Sequence, residues 1–75
     1  MLLLSQDKKK LIEIKTVEVT KMLGGKNEKY CLTALAGAGT SMAIVGKYPD
    51  EQTAYAELMR IAAAIEIGQP IYYVS

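Results

Sequence analysis

The sequence predicts an α+β fold: an antiparallel sheet of about five or six short strands, one helix packed across it, and a final short strand after the helix. Two observations support this class. Apolar or alternating runs separated by polar or glycine-containing turns fill residues 1–48, and a segment rich in Ala, Leu, Glu and Met follows them. The 75 residues are expected to form a single domain.

The first two strands flank a polar turn. The apolar run MLLLS (1–5) predicts a strand, QDKKK (6–10) a turn, and the segment that begins with LIEI a second strand. In this second strand the apolar positions change phase between Ile14 and Val17. A bend or bulge near Lys15–Thr16 would restore the alternation, so we expect one there.

The middle of the sequence predicts two more strands. GGKNEK (24–29) is typical of a turn, and YCLTALA (30–36) and SMAIVGKY (41–48) are typical of strands. The intervening GAGT has the glycines of a phosphate-binding loop, but a strand follows it where such a loop needs a helix N-terminus. We therefore interpret it as a hairpin tip. Gly37 and Gly39 remain ligand-binding candidates only where a neighbouring subunit lies against them.

The helix is predicted from about Glu51 to Ile67. Asp50 is a favourable N-cap, and Glu51 lies in the first turn, where the helix dipole favours negative charge. Gly68 is suited to a left-handed C-terminal cap, and Pro70 prevents the helix from continuing. The final IYYVS is rich in strand-forming residues, which predicts the last strand.

Both faces of this helix are apolar. The stripe expected to lie on the sheet contains Ala54, Leu58, Ile61 and Ile65, with Tyr55 and Ala62 beside it. The opposite side, interrupted mainly by an arginine, contains Ala56, Met59, Ala63 and Ile67. This second apolar face has two interpretations. In the first, the alanines are present only because alanine favours helix, and the occasional exposed apolar residue has no further meaning. In the second, this face packs on another protomer. We favour the second interpretation and expect a homodimer or higher homo-oligomer, because hydrophobic residues make up 51% of a chain with little interior.

The composition argues against catalysis and metal binding. The chain has no histidine, and its single cysteine, Cys31, lies in a predicted strand, where a buried and inert thiol is expected. The carboxylates are scattered, so no acid pair, metal cluster or cofactor site is predicted. A free cysteine is typical of a reducing cytoplasm, and no segment has the roughly 18 apolar residues of a membrane span.

The net charge is +1 with a single arginine, which is less basic than is usual for a nucleic-acid-binding module. The one charge run, DKKK (7–10), has two interpretations. It is either a solvated turn or a cluster that attracts phosphate without sequence specificity.

Three segments, LLLSQDKKKLIEI, IVGKYPDEQTAYAELMRI and GQPIYYVS, resemble a group of short proteins found in Gram-positive bacteria and in their phages and prophages. The match at the start of the helix includes Gly46, Tyr48 and Ala54, whereas Pro49 and Gln52–Thr53 depart from the usual pattern. The resemblance covers most of the chain. It implies a phage or prophage origin and a β-rich fold with one helix, and it supplies no catalytic residues.

Together these observations predict a non-enzymatic, homo-oligomeric binding protein, and the resemblance suggests an anti-defence role in a bacterial host cell. The protein would sequester a small anionic nucleotide-type signal or block a defence protein. The candidate binding residues supply positive charge and rings that stack on a base: Lys47, Arg60, Tyr48, Tyr72 and Tyr73. The alternative is a nucleic-acid-binding regulator that uses the basic turn Lys8–Lys10.

Overall fold

A computed structural model describes residues 1–24, 27–36 and 42–75, and the predicted α+β class is confirmed. The described part contains five strands and one helix, in the order β1 (Leu2–Leu4), β2 (Leu11–Lys21), β3 (Tyr30–Ala36), β4 (Met42–Tyr48), α1 (Glu51–Glu66) and β5 (Ile71–Tyr73). The predicted hairpin tip between β3 and β4, with Gly37 and Gly39, lies outside the described residues.

The strands form one mixed sheet in the order β4–β3–β2–β1–β5. The three pairs among β1, β2, β3 and β4 are antiparallel, while β5 runs parallel to β1. The position of α1 explains this difference from a purely antiparallel sheet. The helix packs on β2, β3 and β4, and it carries the chain from the β4 edge to the opposite edge, where β5 joins beside β1.

β2 contains the irregularity that the sequence predicts. Ile14 pairs with Ala36 and Thr16 with Leu35, so β2 advances by two residues where β3 advances by one. Lys15 is the extra residue of this β-bulge. The bulge keeps the apolar side chains on either side of it against the same core, and these are Ile12, Ile14, Val17 and Val19.

The core lies between α1 and one face of the sheet. Leu3 and Leu32, from the centre of the sheet, are fully buried, and Ile61 of α1 packs with them. The buried members of this cluster are Leu3, Leu32, Ala34, Val45, Tyr48, Ala54, Ile61 and Val74.

Both predicted helix ends are confirmed. Asp50 Oδ1 accepts hydrogen bonds from the backbone N–H of Thr53 at 2.7 Å and from its hydroxyl at 2.8 Å. At the other end, Gly68 follows the C-cap residue Ile67 with a φ of +75°, a left-handed conformation that glycine adopts without steric cost.

The buried face of α1 differs from the predicted stripe. Ala54 and Ile61 are buried as predicted and Leu58 is half-buried, but the remaining buried positions are Glu57 and Ala64. Three residues expected on or beside the stripe are exposed, namely Tyr55, Ala62 and Ile65. The prediction was wrong there because apolar periodicity cannot indicate a carboxylate whose burial depends on partners from elsewhere in the fold.

The turn after β1 closes one side of the sheet. The Gln6 backbone N–H donates to the Val45 carbonyl at 2.7 Å, and the Gln6 side-chain carbonyl accepts from the Lys47 N–H at 2.8 Å. Two strands separate β1 from β4 in the sheet. The sheet is therefore curled, and Gln6 covers part of the β4 edge in the way an added strand would.

Candidate functional site

A buried carboxylate organises the place where α1 meets the C-terminal segment. Glu57 is 0% exposed. Its Oε1 accepts a hydrogen bond from Arg60 Nε at 2.8 Å and forms an ion pair with Arg60 Nη2 at 2.7 Å. Its Oε2 accepts a hydrogen bond from the backbone N–H of Ser75 at 2.8 Å. Both oxygens thus have partners, which is what permits their burial.

Two tyrosines lie beside this carboxylate. The Tyr48 hydroxyl is in the core and donates to the Ser75 carbonyl oxygen at 2.9 Å. Burial, and then the negative charge of Glu57, raise the pKa of Tyr48 well above its ordinary value. Burial, and then the Glu57 carboxylate, also raise the pKa of Tyr72. Both phenols therefore stay protonated at neutral pH, and the Tyr48 hydroxyl acts as a hydrogen-bond donor.

Three of the predicted site residues, Tyr48, Arg60 and Tyr72, are thus brought together. They surround Glu57, which is not among the binding residues predicted from the sequence. The hydrogen bond and charge of Glu57 raise the pKa of Arg60, and the negative charge of Glu57 offsets the positive charge of the guanidinium. An anionic ligand would have to compete with this carboxylate. The signal in the sequence is the spacing of three residues between Glu57 and Arg60, which makes them neighbours on a helix surface.

The other two described candidates, Lys47 and Tyr73, lie on the face of the sheet opposite α1. Lys47 is next to the core residue Tyr48 in β4, and Tyr73 is next to the core-packed Tyr72 in β5. Because successive strand residues point to opposite faces, Lys47 and Tyr73 point away from the core. Lys47 lines a recess of about 460 Å³ between β4 and the turn after β1, together with Lys10, Asp7 and Glu28. The two acidic and two basic side chains balance each other, so this recess has no preference for an anion.

The turn between β1 and β2 presents the exposed lysines Lys8–Lys10. Ser5 holds the turn, because its N–H donates to the Lys10 carbonyl at 2.9 Å and its Oγ accepts from the Lys10 N–H at 3.0 Å. Asp7 Oδ1 accepts from the Ser5 hydroxyl at 2.6 Å and from the Lys9 N–H at 3.0 Å, and these bonds lower the pKa of Asp7. Across the described residues, no carboxylate pairs with any of the three ammonium groups within 4.0 Å.

The outer face of α1 is exposed. The four residues predicted to face another protomer all lie there, and these are Ala56, Met59, Ala63 and Ile67. Tyr55, which was expected near the sheet, extends this apolar surface with a ring that is 55% exposed.

Cys31 is buried, and burial raises the pKa of its thiol, while the positive charge of Lys47 acts in the opposite direction. The thiol therefore packs as a small apolar group and is a poor nucleophile. Within residues 1–24, 27–36 and 42–75, no three His, Cys, Asp or Glu side chains are grouped so that they could hold a metal ion. Among the same residues, no helix combines the length and the apolar character that crossing a bilayer requires.

Comparisons of the chain with protein-family models, with curated proteins and with solved structures find no match.

Proposed function

We propose that this chain is a non-catalytic binding protein that works as a homo-oligomer. The supporting observation is the outer face of α1, where Met59 is 49% exposed and Ile67 is 78% exposed in the single chain. The small residues Ala56 and Ala63 on the same face let the backbone of a second helix approach closely. Covering this face removes apolar surface from water, which is the main driving force of protein association.

The size of the chain is compatible with such an interface. A stable interface of standard size buries about 800 Å² on each partner, and the accessible surface of the single chain is 4911 Å². Pairing through α1 and its flanks would therefore cover roughly a sixth of each protomer's surface.

The molar mass in solution tests this proposal. Light scattering after size-exclusion chromatography is expected to give a multiple of the 8.2 kDa chain mass for the wild type. Ala63→Glu inserts a charge into the middle of the outer face and is expected to give monomers. Lys29→Glu changes the charge at an exposed position outside α1 and serves as the control. A monomeric wild type, or an unchanged mass for Ala63→Glu, contradicts the proposal.

We further propose that the ligand is a small anionic nucleotide-type signal, bound without turnover so that a bacterial defence is countered. The similarity to phage-associated proteins suggests this setting. The exposed lysines of the turn and the exposed ring of Tyr73 supply the chemistry for an anion with a planar base. Alternatively, the oligomer counters the defence by binding a defence protein directly and blocking it.

Thermal unfolding in the presence of cyclic nucleotides and ADP-ribose derivatives tests the ligand. We expect at least one compound to raise the melting temperature and to be recovered unchanged after the protein is denatured by heat, because binding to the folded state alone stabilises it. Recovery of a converted product would contradict a role without catalysis. No stabilisation by any compound would remove the nucleotide proposal and leave the blocking of a defence protein.

A nucleic-acid-binding regulator is the second candidate, and the exposed turn Lys8–Lys10 is the observation in its favour. Binding that depends on phosphate contacts weakens steeply with salt. We therefore expect this function to be visible as binding of random duplex or single strands at low salt that is lost as salt rises. Absence of binding even at low salt removes this candidate.

A further inference from the structure

An exposed row of apolar side chains crosses the face of the sheet opposite α1. Tyr73 of β5 pairs with Leu4 of β1, and Leu4 pairs with Leu11 of β2, so the three side chains lie side by side on one face. Tyr73 is 61% exposed and Leu11 is 56% exposed, while Leu4 between them is half-buried. The row, called the apolar floor below, ends in the aromatic ring of Tyr73.

A cation lies directly above this floor. Lys8 Nζ is 6.0 Å from the centre of the Tyr73 ring. This distance is at the outer limit of a cation–π contact, about 6 Å, so the contact is weak and a planar group that stacks on the ring can displace the ammonium group.

The turn that carries Lys8 is held in place. Lys8 has a φ of +65°, a conformation that non-glycine residues rarely adopt. It persists because the Lys8 N–H donates to the Ser5 carbonyl at 2.9 Å and because Asp7 bonds both the Ser5 hydroxyl and the Lys9 N–H. Unusual backbone conformations of this kind are found at ligand-binding sites, where the surrounding structure fixes them.

The charge of the turn is favourable to an anion. Asp7 contributes one negative charge and the three lysines contribute three positive charges, so the net charge of the turn is +2. The Asp7 carboxylate is occupied by hydrogen bonds within the turn. Over the described part of the chain, the Lys8 ammonium group has no carboxylate within 4.0 Å and can bind phosphate oxygens.

We propose that the floor Tyr73–Leu4–Leu11 and the cation of Lys8 form a binding site for a nucleoside phosphate, in which the base stacks on Tyr73 and the phosphate group meets Lys8. This site rests on the proposed function, because it names the position and the ligand class of the nucleotide-type signal. The ring and the ammonium group are both supplied by one chain, so each protomer carries its own site.

Titration of the wild-type protein with three probes separates the two parts of the site. Adenosine offers only the base, inorganic phosphate only the anion, and ADP both. Two-dimensional amide NMR spectra, recorded for each probe, are expected to show the shifts centred on residues 8 and 73. ADP is expected to bind at least about tenfold more tightly than adenosine or phosphate alone, since it makes both sets of contacts.

Two variants with matched controls test the residues. Lys8→Gln and Tyr73→Thr are each expected to weaken ADP binding by at least about fivefold, through loss of the charge and of the stacking ring respectively. Lys29→Gln removes an exposed lysine elsewhere, Leu23→Thr removes an exposed apolar side chain elsewhere, and both variants are expected to bind ADP like the wild type. The same spectra report whether each variant is folded, and threonine keeps the strand propensity of β5.

The outcomes are distinguishable. Binding of ADP that both variants leave unchanged overturns this site while the proposed function stands. No binding of ADP or of any compound in the nucleotide panel to the wild type overturns both this site and the nucleotide-type ligand of the proposed function. A 5′-phosphorylated single-stranded RNA hexamer that binds at least about tenfold more tightly than ADP overturns the nucleotide assignment and identifies the face as a nucleic-acid surface.

Discussion

The ring of Tyr48 lies across Gly46, so that a methyl group at residue 46 would come within 2.9 Å of Tyr48 Cζ and closer still to its hydroxyl oxygen. The two residues are two positions apart in β4 and point to the same face of the sheet. The glycine thus makes room for a buried ring whose hydroxyl bonds the Ser75 carbonyl. This contact gives a physical reason for the two-residue spacing of Gly46 and Tyr48 in β4.

Gly46→Ala is expected to destabilise the protein by about 1–3 kcal/mol, because the Tyr48 ring must move from a filled core position. The midpoint of urea unfolding measures the loss. The double variant Gly46→Ala/Tyr48→Leu removes the clash, so its cost is expected to be less than the sum of the two single variants. Simple additivity would show that the two side chains do not conflict.

Glu57→Leu is expected to cost about 1–3 kcal/mol, because the backbone N–H of Ser75 loses its acceptor in a partly buried position. Glu57→Gln keeps an acceptor oxygen and is expected to cost less. Unfolding by urea gives both values, and Glu66→Leu, at an exposed position of the same helix, is the control with little effect. Equal stability of Glu57→Leu and the wild type would refute the role of the carboxylate in holding the C-terminal segment.

Gln6→Ala is expected to loosen the closed side of the sheet. The variant loses the side-chain bonds of Gln6 to the Lys47 N–H, the Lys47 carbonyl and the Ser75 carbonyl oxygen. We expect faster hydrogen exchange of the Lys47 amide and a loss of stability of about 1 kcal/mol. Gln52→Ala, on the exposed side of α1, is the matched control. Unchanged exchange at Lys47 would mean that Gln6 does not protect the β4 edge.

Stability is expected to fall at acid pH through two carboxylates. The hydrogen bond to the Thr53 N–H is the main cause that lowers the pKa of Asp50, and the bond to the Ser5 hydroxyl is the main cause for Asp7. Both folded pKa values lie below the ordinary 3.8, so the unfolded chain takes up these protons first. The two carboxylates therefore contribute their full stabilisation when the pH is above their pKa in the unfolded chain. This stabilisation is lost as the pH falls through their pKa values in the folded protein.

Urea midpoints measured between about pH 5 and pH 2 check this dependence. Asp50→Asn keeps the capping oxygen but does not titrate, so its stability is expected to be near that of the wild type at neutral pH and to fall less steeply in acid. If the stability of the wild type falls with decreasing pH no more steeply than that of Asp50→Asn, Asp50 does not contribute to the loss of stability in acid.

Local patterns predicted most of the elements. The capping residue Asp50 and the glycine Gly68 define the helix ends, since caps act within a few residues of the backbone groups they satisfy. The change of phase between Ile14 and Val17 indicates the bulge at Lys15, because a strand with one buried face must restore its alternation. Signals of this kind depend on residues that are close in the sequence, so they can be recognised without knowing the rest of the fold.

The candidate site was predicted less completely. Tyr48, Arg60 and Tyr72 do come together, but the residue at their centre, Glu57, has no local signal beyond its spacing from Arg60. Lys47 and Tyr73 lie on the other face of the sheet, because each is next in its strand to a residue of the core. Which strand residues face the core depends on register and on the direction of β5, and composition does not specify either.

The sequence by itself determined the class of the fold, the bounds of the helix and the position of the bulge, since these follow from backbone capping, turn formation and the period of apolar residues. Only the tertiary structure decided that β5 runs parallel to β1, that Glu57 is buried and that Lys8 lies over Tyr73. These three relations join residues from opposite ends of the chain or from separate elements. These relations form because the helix carries the chain across the sheet and brings the C-terminal segment beside β1. The groups involved are close to each other only in the folded protein.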